Sequence, residues 1–238
     1  MKIQIVLAWF LFLIVFPNVS YSGSFKKAPR LPEPMVFDLV LPLGASRNEY
    51  EFNSLGQYNF KHRAAEINPE FEYAYADGYG IEIEFPMKNS ELEAYKLALQ
   101  GTFNFLNTEK FIHGWQYIGE YHKHSKAVEN DLLYLFGYQF NKNWSMLNMT
   151  GFRFTDARSR GRAEGLFNSN LFYTISKDLI LGVEVNYESR PDHPDIALIM
   201  PQIHLQVAAH AKIQFGFGMK RSDHENFPHA ATRIIFGF

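Results

Sequence analysis

The sequence contains no cysteine. This excludes a disulfide scaffold, a thiolate zinc site and lipid attachment through an N-terminal cysteine. It also lacks a surplus of either charge: 23 Lys and Arg stand against 25 Asp and Glu, for a net charge of −2. Nucleic-acid-binding proteins normally carry a basic excess, so a nucleic-acid partner is not expected. Beyond the N-terminus no apolar run reaches the ~18 residues of a membrane-spanning helix. Mean hydropathy is −0.21, which speaks against a mature helical membrane protein. Nothing reads as a long helix, and no pattern calls for a cofactor. What the sequence does have is apolar and aromatic. Hydrophobic residues make up 47% and aromatics 16%, with 23 Phe and 13 Tyr, too rich for a disordered chain. At 238 residues the length allows one domain or at most two.

The N-terminus has the layout of a secretory signal. Lys2 supplies a positive start, residues 3–16 are almost wholly apolar, and Ser20-Tyr21-Ser22 puts small residues at the −3 and −1 positions before Gly23. Residues 1–22 are therefore expected to be removed after Ser22. Residues 23–46 hold Pro29, Pro32, Pro34 and Pro42 with Lys26, Lys27 and Arg30, and read as an extended, exposed segment. Within it, residues 35–41 form a short apolar patch, suited to an extra strand or to folding against a barrel.

From about Arg47 onward the hydrophobic period becomes two. Leu179, Leu181, Val183, Val185 and Tyr187 alternate with Ile180, Gly182, Glu184 and Asn186. Tyr79, Ile81, Ile83 and Phe85 do the same against Gly80, Glu82 and Glu84. Successive side chains of a strand point to opposite faces, so each segment has one apolar and one polar face. Twelve segments fit: 47–60, 67–76, 79–87, 91–105, 110–121, 130–140, 143–154, 164–175, 178–188, 199–208, 211–220 and 229–238. Most have the roughly 9–11 residues that a tilted strand needs to cross a bilayer. Asp77-Gly78, Asn141-Lys142-Asn143, Ser176-Lys177-Asp178 and Ala209-His210 are tight-turn sequences, whereas 122–129, 155–163, 189–198 and 221–228 read as longer polar loops. If the first strand starts at the periplasm, every short turn falls on the periplasmic side.

The chain ends Thr232-Arg233-Ile234-Ile235-Phe236-Gly237-Phe238, with Thr232, Ile234, Phe236 and Phe238 on one face. Together with the alternation over 47–238, this ending resembles the terminal strand signature of bacterial outer-membrane β-barrel proteins, and more loosely small porin-like or transporter-type barrels. The resemblance implies an all-β fold, a closed antiparallel transmembrane barrel of about twelve strands spanning 47–238. It implies insertion among outer-membrane lipids, with Phe236 and Phe238 read by the outer-membrane assembly machinery.

Alternation then assigns faces. Phe71, Ile83, Leu181, Val183, Phe215 and Phe217 are expected to face lipid, and Tyr58, Phe60, Tyr121, Tyr173 and Tyr187 to form interfacial girdles. An Arg or Lys on the lipid face near the midplane costs about 2–4 kcal/mol, so the charged residues belong in the lumen. These are Glu70, Glu72, Glu82, Glu84, Lys96, Glu120, Arg153, Glu184, Lys212 and Arg233, joined by His204. Glu70, Glu72, Glu82 and Glu84 flank one tight turn and should form a single acidic patch, the expected selectivity wall for a small polar or charged solute. The competing reading is that these charges pair and fill a closed, structural barrel that acts through its loops.

Six of the nine histidines, His62, His122, His124, His193, His224 and His229, fall in expected external loops or strand tips. His122 and His124 form the one close pair, a weak metal candidate without cysteine or a repeated spacing. A lipid hydrolase would need a serine activated by an oriented histidine. His124-Ser125 near Glu120 or Glu129 is the local candidate, but neighbouring residues of a strand point apart, and an enzyme is not expected.

Overall fold

The computed structural model describes residues 28–156, 161–191 and 193–238. The expected signal peptide and its cleavage site lie outside them. The described residues are all β, with fourteen strands and no helix: β1 (Tyr50–Asn59), β2 (Ala64–Ala76), β3 (Tyr79–Glu84), β4 (Met87–Lys88), β5 (Glu91–Leu92), β6 (Ala94–Thr102), β7 (Phe111–His122), β8 (Val128–Gln139), β9 (Trp144–Asp156), β10 (Arg162–Ser176), β11 (Leu179–Ser189), β12 (Ile196–Ala208), β13 (Ala211–Ser222) and β14 (Glu225–Gly237). Every pairing is antiparallel, and each of the twelve long strands pairs with its long neighbour in the chain. β1 pairs with β14 from Glu51↔Gly237 to Asn59↔His229, which closes a twelve-stranded barrel. Tyr50 and Phe238 extend the seam, exchanging backbone hydrogen bonds at 3.2 and 2.9 Å. Closure leaves no unpaired edge, the condition for strands in hydrocarbon. The two-residue β4 and β5 lie in the β3–β6 connection and fold back onto β2.

Each of the twelve expected segments is a barrel strand, and the faces fall as alternation requires. Phe71, Ile83, Val183, Phe215 and Phe217 are exposed on the outside, whereas Glu70, Glu72, Glu82, Glu84, Glu184 and Arg233 are buried within. The connections differ from expectation. The anticipated loop at 221–228 is a two-residue turn, in which Asp223 and His224 both adopt positive φ (53° and 65°), as a type I′ hairpin requires. At the end that holds both barrel termini, 103–110 is a long connection where only short turns were expected. It folds over His113, whose Nε2 donates to the Phe105 carbonyl at 2.7 Å while Nδ1 accepts from the Tyr134 hydroxyl at 3.0 Å.

The largest correction concerns the proline-rich segment. From Leu31 to Ala45 it is not an exposed linker but lies inside the barrel, with Met35, Leu39, Val40 and Leu41 almost wholly buried. It rises from the terminal end, turns near Phe37 and Asp38, and descends beside β6 to β1. The descent is marked by Lys96 on Asp38, Gln100 on Leu41 and Thr102 on Gly44. A chain inside a closed barrel finds no ladder edge to pair with, so lumen side chains must satisfy its peptide groups. Pro32, Pro34 and Pro42 lighten that demand, because proline has no N–H to satisfy.

Candidate functional site

The site is the lumen together with the segment that fills it. Strands β7 to β10 present Ile112, Leu133, Leu135, Leu147, Met149, Leu166 and Phe172 inward, and the segment's Leu31, Leu39, Leu41 and Leu43 pack on them. Burying side chains of this size contributes about 1.5–3 kcal/mol each. A second cluster joins Met35 to Leu55, Leu198, Met200 and Ala231. The sequence holds a signal of this that the alternation reading did not use: Leu132-Leu133-Tyr134-Leu135-Phe136 is apolar on both faces, so its inner face needs a cover other than water.

Polar lumen side chains, from β6, β7 and β11, grip the segment by its backbone. The Glu184 carboxylate accepts the Met35, Val36 and Phe37 amides at 2.8, 3.1 and 2.7 Å. Asn168 and Asn186 also donate to it, at 3.1 and 3.0 Å. Gln116 donates to the Asp38 carbonyl at 3.0 Å and Gln100 to the Leu41 carbonyl at 2.6 Å. The Thr102 hydroxyl accepts the Gly44 amide at 2.8 Å. Charged pairs complete the attachment: Lys96 binds Asp38 and Glu84, and Lys212 lies 3.6 Å from Glu33.

The four expected wall glutamates do form one patch. β2 and β3 align Glu70 with Glu84 and Glu72 with Glu82. The segment covers them, and none is more than 2% exposed. Arg233 reaches in from β14, binding Glu70 and donating to Asn53 Oδ1 at 3.1 Å. Asn53 in turn donates to Glu72. His204 lines the lumen edge-on to Phe172, with ring centroids 5.7 Å apart.

Past the segment's apex the lumen holds a second charged group. Arg153 makes a two-pronged contact with Asp131 at 2.9 Å, with Glu129 and Glu188 each at 3.6 Å. His122 lies between Glu120 (3.7 Å) and Glu129 (3.4 Å). His124 is not part of this group; it faces Glu93 at 3.8 Å. Nor does it engage Ser125, whose Oγ accepts the Ala127 amide. His229, expected near a loop, is an inward residue of β14 bonded to Gln57 at 3.0 Å, because the tight 223–224 turn extends that strand. The sequence reading missed Glu33, Asp38 and Gln116. The first two lay in the segment taken for a linker.

The profile of the HAEPLYID-like family matches residues 30–237, and the chain belongs to that family. The match takes in the whole lumen segment, Leu31 to Ala45, as well as the barrel. No curated protein matches the chain by sequence. Among solved structures it is similar to the NanC porin (TM-score 0.65, 8% identity, 79% of this chain and 98% of that one). It is equally similar to the KdgM porin (TM-score 0.65, 11% identity, 79% and 99%). The COG4313 outer membrane channel from Pseudomonas putida F1 follows (TM-score 0.53, 11% identity, 87% and 100%). At these identities the likeness is one of fold, which is that of the bacterial outer-membrane porin-like barrels.

Proposed function

We propose that the protein is an outer-membrane channel of porin type for a small polar or charged solute, held shut in this state by its own N-terminal segment. One observation carries this reading. The segment fills the lumen, yet the barrel does not need it for closure, since β1 pairs directly with β14 and the ladder is continuous around the wall. Withdrawal of the segment exposes a lumen with the glutamates of β2 and β3 on one side and the charged group around Arg153 beyond. The porin fold of its structural neighbours supports the same reading.

The filled lumen also favours a second reading, a non-conducting barrel that acts through its loops. Planar-bilayer recording separates them. The channel reading expects low, intermittent conductance from the intact protein and sustained currents from Leu39→Asn/Leu41→Asn, which weakens the packing of the segment. Silence from both, with folding confirmed by heat-modifiable migration, would leave the structural reading.

A further inference from the structure

We infer that Asp38, Glu70 and Glu82 bind a hard cation that fastens the lumen segment to the barrel wall. The three carboxylates come from three separate pieces of chain: the segment, β2 and β3. One oxygen from each lies within 4.8 Å of the others. Calcium takes oxygen ligands at about 2.3–2.6 Å, so oxygens on either side of it stand up to roughly 5 Å apart, and the spacing fits.

A carboxylate cluster alone says little, but Glu82 adds an independent observation. It is fully buried and neither of its oxygens has a hydrogen-bond partner. The nearest cation, Lys96, is 4.0 Å from Oε1 and already binds Asp38 and Glu84. Glu72, directly across from Glu82 in the register, is also fully buried, with Oε2 unpartnered. The charges make the same point. Among the described residues, Asp38, Glu70, Glu72, Glu82 and Glu84 share this chamber with Lys96 and Arg233. Lys96 serves Asp38 and Glu84, and Arg233 serves Glu70 and lies 3.9 Å from Asp38. Glu82 has only the shared Lys96, at 4.0 Å, and among the described residues no ion pair reaches Glu72, whereas buried like charges side by side demand a closer counter-charge. A proton would neutralise Glu82 alone. A cation is served at the longer spacing that the three oxygens offer.

The inference does not depend on conduction. Its test uses the full-length refolded protein, stripped with EDTA and titrated calorimetrically with calcium, then magnesium, while thermal unfolding is followed. Saturable binding at one site is expected, with a rise in Tm. Glu82→Gln and, on the segment side, Asp38→Asn should each weaken affinity at least about tenfold. Three results would overturn the inference. One is no saturable binding of either ion to folded protein. Another is binding that both variants leave intact, which places the ion elsewhere, as at Glu120, His122 and Glu129. The third is an infrared band of a protonated carboxyl that disappears in Glu82→Gln, which assigns the neutralising role to a proton.

Discussion

The Glu184 carboxylate on β11 accepts the Phe37 amide at 2.7 Å, joining positions 147 residues apart. With the Met35 and Val36 amides on its other oxygen, Glu184 caps three successive N–H groups of a segment that has no strand partner. Successive amides turned to one side form a concavity for an anion, and here the anion is supplied by the barrel wall. Hydrogen bonds to a charged group contribute about 1.5–3 kcal/mol. Glu184→Gln keeps the size but loses the charge and turns an N–H₂ toward amide donors. Hydrogen exchange at residues 35–37 should then rise by roughly tenfold to a hundredfold while the strands stay protected. Unchanged exchange there would count against Glu184 as the anchor.

Two lumen glycines set the room for the segment's side chains. A Cβ at Gly216 would clash with Met35 Cε and with Met200 of the wall, and one at Gly137 with Leu31 Cδ1. Overpacking of this kind costs about 1–3 kcal/mol, and the segment is easier to displace than the wall. Because the chain has no native cysteine, a single Leu39→Cys reports on a buried segment position. In Gly216→Val its maleimide labelling should be faster by about tenfold, from roughly 1.4 kcal/mol of lost closure. Equal rates with and without Gly216→Val would show that the segment is not displaced.

The barrel was legible because its period is local. Each strand declares its two faces within ten residues, and the polar face of Glu82 and Glu84 pointed to the lumen without knowledge of its neighbours. The segment was only half legible, for the opposite reason: the apolar patch 35–41 allowed folding against a barrel, but not a place inside it. Leu39, Leu41 and Leu43 alternate like a strand, but their partners Leu133, Leu147 and Phe172 lie about a hundred residues away. The prolines that signal a linker in water serve here to lower the number of buried donors. The doubly apolar run 132–136 was the available clue. Asp38 could not be assigned from composition, since its role depends on where the segment turns. The 221–228 stretch was misread because Asp223 and His224 reach positive φ without a glycine.

Phe238 is largely exposed at the outer surface, 72% accessible, with its ring stacked 6.2 Å from His210. Its backbone still closes the seam through Tyr50. Deleting it removes two hydrogen bonds at the last rung and the aromatic ending that the resemblance ties to assembly. Net hydrogen bonds of this kind contribute only about 0.5–1.5 kcal/mol each. Membrane insertion in cells should therefore fall well below what that loss predicts, while refolding into detergent micelles is nearly unaffected. Equal losses in both settings would make Phe238 a matter of stability rather than of recognition.

A channel opened by loosening the segment should prefer cations. When the segment is loosened, Asp38 and Glu33 leave with it, but Glu51, Glu70, Glu72, Glu82 and Glu84 stay on the wall against Arg233, Lys96 and Lys212. The wall remains net negative, and cations are favoured by the field of the nearer charges over a Debye length of about 10 Å at 0.1 M salt. In a potassium chloride gradient, Leu39→Asn/Leu41→Asn should show a reversal potential displaced toward that of potassium. Adding Glu82→Gln and Glu84→Gln removes two of the five acids. It also frees Lys96, which binds Glu84, so the displacement should shrink by more than the loss of one carboxylate alone. The difference should fade at high salt, where screening shortens the reach of each charge. An anion preference in the loosened channel, or a cation preference indifferent to both substitutions, would move selectivity from the β2–β3 glutamates to the group around Arg153.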